Sequence, residues 1–109
     1  MSIMGRRQRE AERQRAIHEL EYLLFRRRVL LREADMHKVE LQKCKDELAQ
    51  LQANPETGST DIIFAKISVN KCLTLINHSE NNLNNLSVKI QQAEEKCKAM
   101  GIELSDKEM

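Results

Sequence analysis

A chain of 109 residues with 40% hydrophobic, 32% charged and 3% aromatic side chains, one Pro and no Trp is one domain at most. That balance is too apolar for a disordered chain and too poor in aromatics for an ordinary compact core, so it favours long helices with a narrow apolar stripe. The formal net charge of +1 conceals an asymmetry: the first 32 residues hold all nine arginines against Glu10, Glu12, Glu19 and Glu21, a net +5, while nine lysines against thirteen acidic residues leave the remainder at −4. A basic arm on a mildly acidic body steers the chain toward acidic partners.

The arm occupies residues 1–15, the start of the first helix, and carries Arg6, Arg7, Arg9, Arg13 and Arg15. Three readings fit it: a solvated helix face, a docking surface for an acidic protein, or a nucleic-acid contact. Glu10 and Glu12 repel phosphate and pair with arginine at helical spacing, which weakens the last. A basic leucine zipper does not fit, because the Asn/Ala-containing base-reading motif is absent and the leucine seam turns back at Pro55.

Residues 16–53 form the body of the first helix. From Arg6 to Ala53 there is no Gly or Pro, and strong helix formers dominate. Ala16, Leu20, Leu23, Leu30, Ala34, Leu41, Cys44, Leu48 and Leu51 keep an average spacing of about 3.5 residues, with Arg27 and His37 completing the stripe, which is the signature of a coiled-coil seam. Arg27 is expected to snorkel from the seam toward acidic residues across the pair.

Residues 54–61 are the hairpin turn. Pro55 disfavours helical geometry at Asn54, Gly58 suits left-handed angles, Ser59 or Thr60 can cap the next helix, and Asp61 complements its dipole. Residues 62–101 form the second helix, whose seam is Ile62, Ala65, Val69, Cys72, Ile76, Ser79, Leu83, Leu86, Ile90, Ala93, Cys97 and Met100. Gly101 stands where a C-terminal cap is expected, and 102–109 reads as a frayed tail.

Folding at the turn pairs Leu51 with Ile62, Cys44 with Val69, Leu41 with Cys72, Ala34 with Ser79, Leu23 with Ile90 and Leu20 with Ala93, so one register satisfies both stripes. The predicted fold is all-α: a long antiparallel two-helix coiled-coil hairpin, completed to a bundle by a second chain. That completion is expected because Tyr22, Phe25, Val29, Met36 and Val39 form a second stripe on the first helix, roughly 140–160° from the seam. A hairpin partner leaves this face in water, and the readings are simple exposure beside arginine stems, cover by a folded-back N-terminal segment, or burial by another chain. Burial by another chain is favoured, with Arg26 and Arg28 as a charged rim.

No Gly-rich phosphate loop, nucleophile elbow, His-Glu-x-x-His pair or carboxylate dyad occurs, so neither catalysis, a small-molecule substrate nor a cofactor is expected. Cys44, Cys72 and Cys97 lack metal-ligand spacing and read as reduced, buried small hydrophobes, and His37 as a packing residue. The apolar runs are too short for a membrane span, and no apolar region follows the N-terminal charges; a cytoplasmic location is expected. In length, hairpin and charged surface the chain resembles small helical-hairpin proteins: the stalk proteins of bacterial secretion, the tubulin-binding cofactor A family and prefoldin subunits. No motif transfers functional residues from any of them. The expected function is a protein-interaction module, an adaptor, chaperone-like protein or structural subunit, which binds a helical partner or a second copy. A nucleic-acid-associated accessory protein is the alternative.

Overall fold

The computed structural model describes residues 3–104, with side chains from Gly5 onward. It consists of two α-helices, α1 (Ile3–Ala53) and α2 (Ser59–Ala99), joined by one short turn into an all-α helical hairpin. No strand occurs among the described residues, and no helix is long and apolar enough to cross a membrane. The frayed tail expected over 102–109 falls mostly on residues 105–109, which lie outside the described residues.

The turn is built from local hydrogen bonds. The Asn54 N–H donates to the Leu51 carbonyl at 3.3 Å, and the Thr57 N–H donates to the Asn54 carbonyl at 3.1 Å, closing a four-residue turn with Pro55 at its second position. The Glu56 N–H also donates to Asn54 Oδ1 at 3.0 Å, the Asx arrangement that suits Asn before a turn. Two expectations are corrected here. The second helix begins at Ser59, three residues earlier than expected, and its N-cap is Gly58, whose carbonyl accepts from the Ile62 N–H at 3.4 Å. Ser59 and Thr60 are thus already inside the helix; Asp61 does occupy its first turn. Gly58 does not take left-handed angles either, since the turn reverses the chain through the Pro55–Glu56 pair and leaves Gly58 only the capping role.

At the other end of α2 the expected cap is present. Gly101 has φ +74°, the Ile102 N–H donates to the Cys97 carbonyl at 3.0 Å, and the Gly101 N–H donates to the Lys98 carbonyl at 3.0 Å. This 6→1 and 5→2 pair is a Schellman motif, which satisfies carbonyls the helix end would leave unpaired. Lys96 and Lys98 in the last turn add the charge favoured at that end of the dipole.

The chain divides into two compact units, Met1–Val29 with Leu83–Met109, and Leu30–Asn82. In the first, which we call the terminal unit, Ala16, Leu20, Leu23, Leu24, Leu86, Ile90, Ala93 and Cys97 are buried. Its helices meet at the Cys97 thiol, which donates to the Ala16 carbonyl at 3.6 Å, and at a Lys96–Glu19 ion pair of 4.0 Å. The ion pair is solvent-exposed and contributes little; the apolar layer and its small residues set the approach. Leu24 belongs to neither predicted stripe. It lies one turn beyond Leu20 and widens the buried face.

In the second, turn-proximal unit, Leu30, Ala34, Cys44, Cys72 and Ser79 are buried, while Leu41, Leu48, Leu51, Ile62, Ala65, Val69 and Ile76 are half-buried. Every predicted seam position is therefore buried or half-buried, each within its own unit. Three hydroxyls of α2 bond back to the helix itself: Ser68, Thr74 and Ser87 donate to the carbonyls of Phe64, Asn70 and Leu83 at 3.2, 3.0 and 2.9 Å. No buried side-chain nitrogen or oxygen lacks a partner among the described residues.

Two outcomes follow. With the native cysteines replaced by alanine, cysteines at Leu23 and Ile90 should crosslink on mild oxidation, seen as faster migration on a non-reducing gel; a crosslink from position 23 to one near Val69 would overturn the register. Gly101→Ala should destabilise the fold by about 1 kcal/mol in denaturant unfolding, because a Cβ is penalised at positive φ.

Candidate interaction surface

The two units carry separate candidate surfaces. On α1 of the terminal unit, Tyr22 and Phe25 are 61% and 54% exposed, one turn apart on the same face. Val29, the next member of the predicted stripe, is half-buried, although it stands seven residues from both Tyr22 and Met36 and so shares their side of the helix. Arg26 and Arg27 are half-buried and Arg28 is exposed, so aliphatic arginine stems border the aromatic pair. An apolar centre with a guanidinium rim is the composition of a protein-binding patch.

The arm at the start of the same unit is exposed from Arg6 to Arg15. Arg6, Arg7, Arg9, Arg13 and Arg15 are exposed, and two of them fold back along their own helix. Arg9 Nε donates to the Gly5 carbonyl at 3.3 Å and Arg15 Nε to the Ala11 carbonyl at 3.4 Å. Gln14 donates to Glu10 at 3.2 Å, a neighbouring pair one turn apart. A depression beside Met100 is lined by Arg6, Arg9, Glu10, Glu12 and Arg13, mixing both signs of charge. Acidic side chains therefore interrupt the arginines at this depression.

In the turn-proximal unit the predicted residues Met36 and Val39 are 70% and 57% exposed on α1. The sequence reading missed a comparable face on α2. Phe64, Ile67 and Leu75 are exposed there, with Ile63 beside them, and at about 100° per residue they centre roughly 135° from the α2 seam. A shallow apolar depression lined by Ile67, Asn70, Lys71, Thr74 and Leu75 lies on this face. The signal was available as apolar residues at i, i+3 and i+11 behind the seam, but the regularity of the seam itself accounted for most apolar residues of that helix.

The cysteines are all free thiols within the packing. Cys97 is completely covered, and burial, followed by Glu19, pushes its thiol pKa up against the opposing pull of Lys96. Cys44 is likewise pushed up, first by burial and then by the Cys72 sulfur, Glu40 and Glu47. His37 is half-buried on the seam, as its position implies, and His78 is exposed. Among the described residues no group of three His, Cys, Asp or Glu side chains is placed to hold a metal ion.

No protein-family model, curated protein or solved structure matches the chain.

The exposure of the arm predicts that it adds charge rather than stability. Deleting residues 1–12 should leave helicity per residue and melting temperature nearly unchanged in circular dichroism; loss of cooperative unfolding would mean that the arm is packed into the core.

Proposed function

We propose that the chain is a non-enzymatic protein-interaction module that docks a helical protein surface, as an adaptor, chaperone-like protein or structural subunit in the cytoplasm. The observation that carries this reading is the exposure of Tyr22 and Phe25, bordered by Arg26 and Arg28, on a helix whose seam is already occupied by α2. Aromatic side chains backed by arginine are the residue types enriched at interface anchors. Completion of the hairpin to a bundle by a second chain, either another helical protein or a second copy, buries this face and those of Met36, Val39 and Phe64. No cofactor and no small-molecule substrate enter this reading.

The alternative, an accessory protein that uses Arg6, Arg7, Arg9, Arg13 and Arg15 on nucleic acid, draws support from the solvation of the arm. It predicts an affinity for DNA or RNA that falls steeply with salt and disappears when residues 1–12 are removed.

Burying Phe25 contributes roughly 1.5–3 kcal/mol, and each 1.4 kcal/mol is about tenfold in affinity. Phe25→Ser with Val29→Ser should therefore weaken self-association or partner binding by about an order of magnitude or more, measured by sedimentation, with helicity retained. Phe64→Ser with Ile67→Ser reports on the α2 face in the same way. Unchanged association would remove these residues from the interface, and unfolding of the first double variant would place Phe25 in an intramolecular core.

A further inference from the structure

The seam of the turn-proximal unit holds two thiols in contact across the hairpin. Cys44 of α1 and Cys72 of α2 are both buried, 28 residues apart in sequence, and their sulfurs lie 3.9 Å apart. In the predicted register they occupy adjacent layers, so the contact is diagonal. A disulfide requires about 2.05 Å between sulfurs, which leaves roughly 2 Å of approach for rotation of two short side chains. The flanking seam positions Leu41, Leu48, Val69 and Ile76 are all half-buried, so the apolar cover on either side of the pair is incomplete.

We propose that Cys44 and Cys72 are a modification site, forming an intramolecular disulfide when the chain meets a low-molecular-weight disulfide, and that this bond clamps α1 to α2 in the turn-proximal unit. The chemistry is two successive exchanges. One cysteine thiolate attacks a sulfur of the small disulfide; the protein–reagent S–S bond forms, the reagent S–S bond breaks, and the first reagent thiolate leaves and takes up a proton. The second cysteine, as thiolate, attacks the protein sulfur of that mixed disulfide and expels the second reagent thiolate. Two protein thiols are oxidised, one small disulfide is reduced to two thiols, and two protons pass from the protein to the leaving groups by way of solvent.

The surroundings make the reaction slow and selective. The Cys44 thiol donates toward Glu40 Oε1 at 3.9 Å, and the carboxylate disfavours a thiolate beside it. Cys97 offers the internal contrast: its sulfur is fully covered and its partner is the Ala16 backbone carbonyl, so it has no thiol with which to pair. Because the bond would close a loop between helices, it restricts the unfolded chain as well as the folded one.

The test uses the reduced full chain under native conditions, treated with oxidised glutathione, quenched by alkylation and mapped by peptide mass spectrometry. The expected product is a monomer that has lost two hydrogens, carries a Cys44–Cys72 link and retains an unlinked Cys97. Its melting temperature should rise by on the order of ten degrees and return on reduction. C97A should keep both the link and the shift, whereas C72A should lose both and carry glutathione on Cys44 at most. Persistent glutathione adducts on both cysteines without a link, pairing through Cys97, disulfide-linked dimers, or no reaction under native conditions would each overturn the proposal.

Discussion

Everything in this molecule depends on a stripe of apolar side chains one or two residues wide. A long helix with polar residues around most of its circumference has little reason to be stable alone, because nucleation is costly and most helical stability comes from packing. The 3.5-residue spacing supplies that packing by keeping one line of each helix turned toward the other. Small residues decide how close the helices come. Ala16, Ala93 and Cys97 are all but fully covered, and the Cys97 thiol reaches the Ala16 backbone across the gap. Each helix is thus the condition for the other, and the local devices at the turn and at Gly101 trim ends that the seam has already specified.

The same narrowness leaves each unit with apolar side chains that the seam has no room for. In the terminal unit these are Tyr22 and Phe25; in the turn-proximal unit they are Met36 and Val39 on α1 and Phe64, Ile67 and Leu75 on α2. A lone exposed Leu is unremarkable, but large apolar residues repeated at helical spacing behind a completed seam are a surface of a different kind. The polar surface is solvated in a correspondingly plain way, through exposed ion pairs and helix-local hydrogen bonds such as Gln42 to Asp46 at 2.9 Å. The apolar faces, more than the charges, distinguish this chain from an arbitrary charged hairpin.

The two units also differ in how completely they close. The terminal unit buries most of its seam positions, leaving Arg27, Leu83 and Met100 half-buried, and widens the seam with Leu24, whereas many positions near the turn stay half-buried. The Cys44–Cys72 contact sits among those half-covered layers, with Ser79 adding a hydroxyl where another apolar side chain would add attraction. Thiols in such a place pack as small hydrophobes while they are reduced.

Periodicity assigns each residue an azimuth around its own helix, and for a two-helix hairpin that is nearly the whole fold. Both helices, the single turn at Asn54–Pro55, the full set of seam positions, the Gly101 cap and the exposure of Tyr22, Phe25, Met36 and Val39 were all legible in the residues themselves. Azimuth does not say how deeply a position is covered, because that depends on the separation of the two helices and on what flanks the seam. So Leu24 is buried though it lies off the predicted line, Val29 is half-buried though it lies on the outer stripe, and the α2 face around Phe64 stands out by its exposure in the structure. Capping is equally non-local: Ser59 is a good N-cap residue, but the turn through Pro55 and Glu56 brings Gly58 to that position first. The sequence by itself determined which side of each helix meets the other, since one antiparallel register pairs the two 3.5-residue seams along their length. The tertiary structure alone decided how closely those lines approach, and therefore which thiols touch and which apolar side chains remain in water.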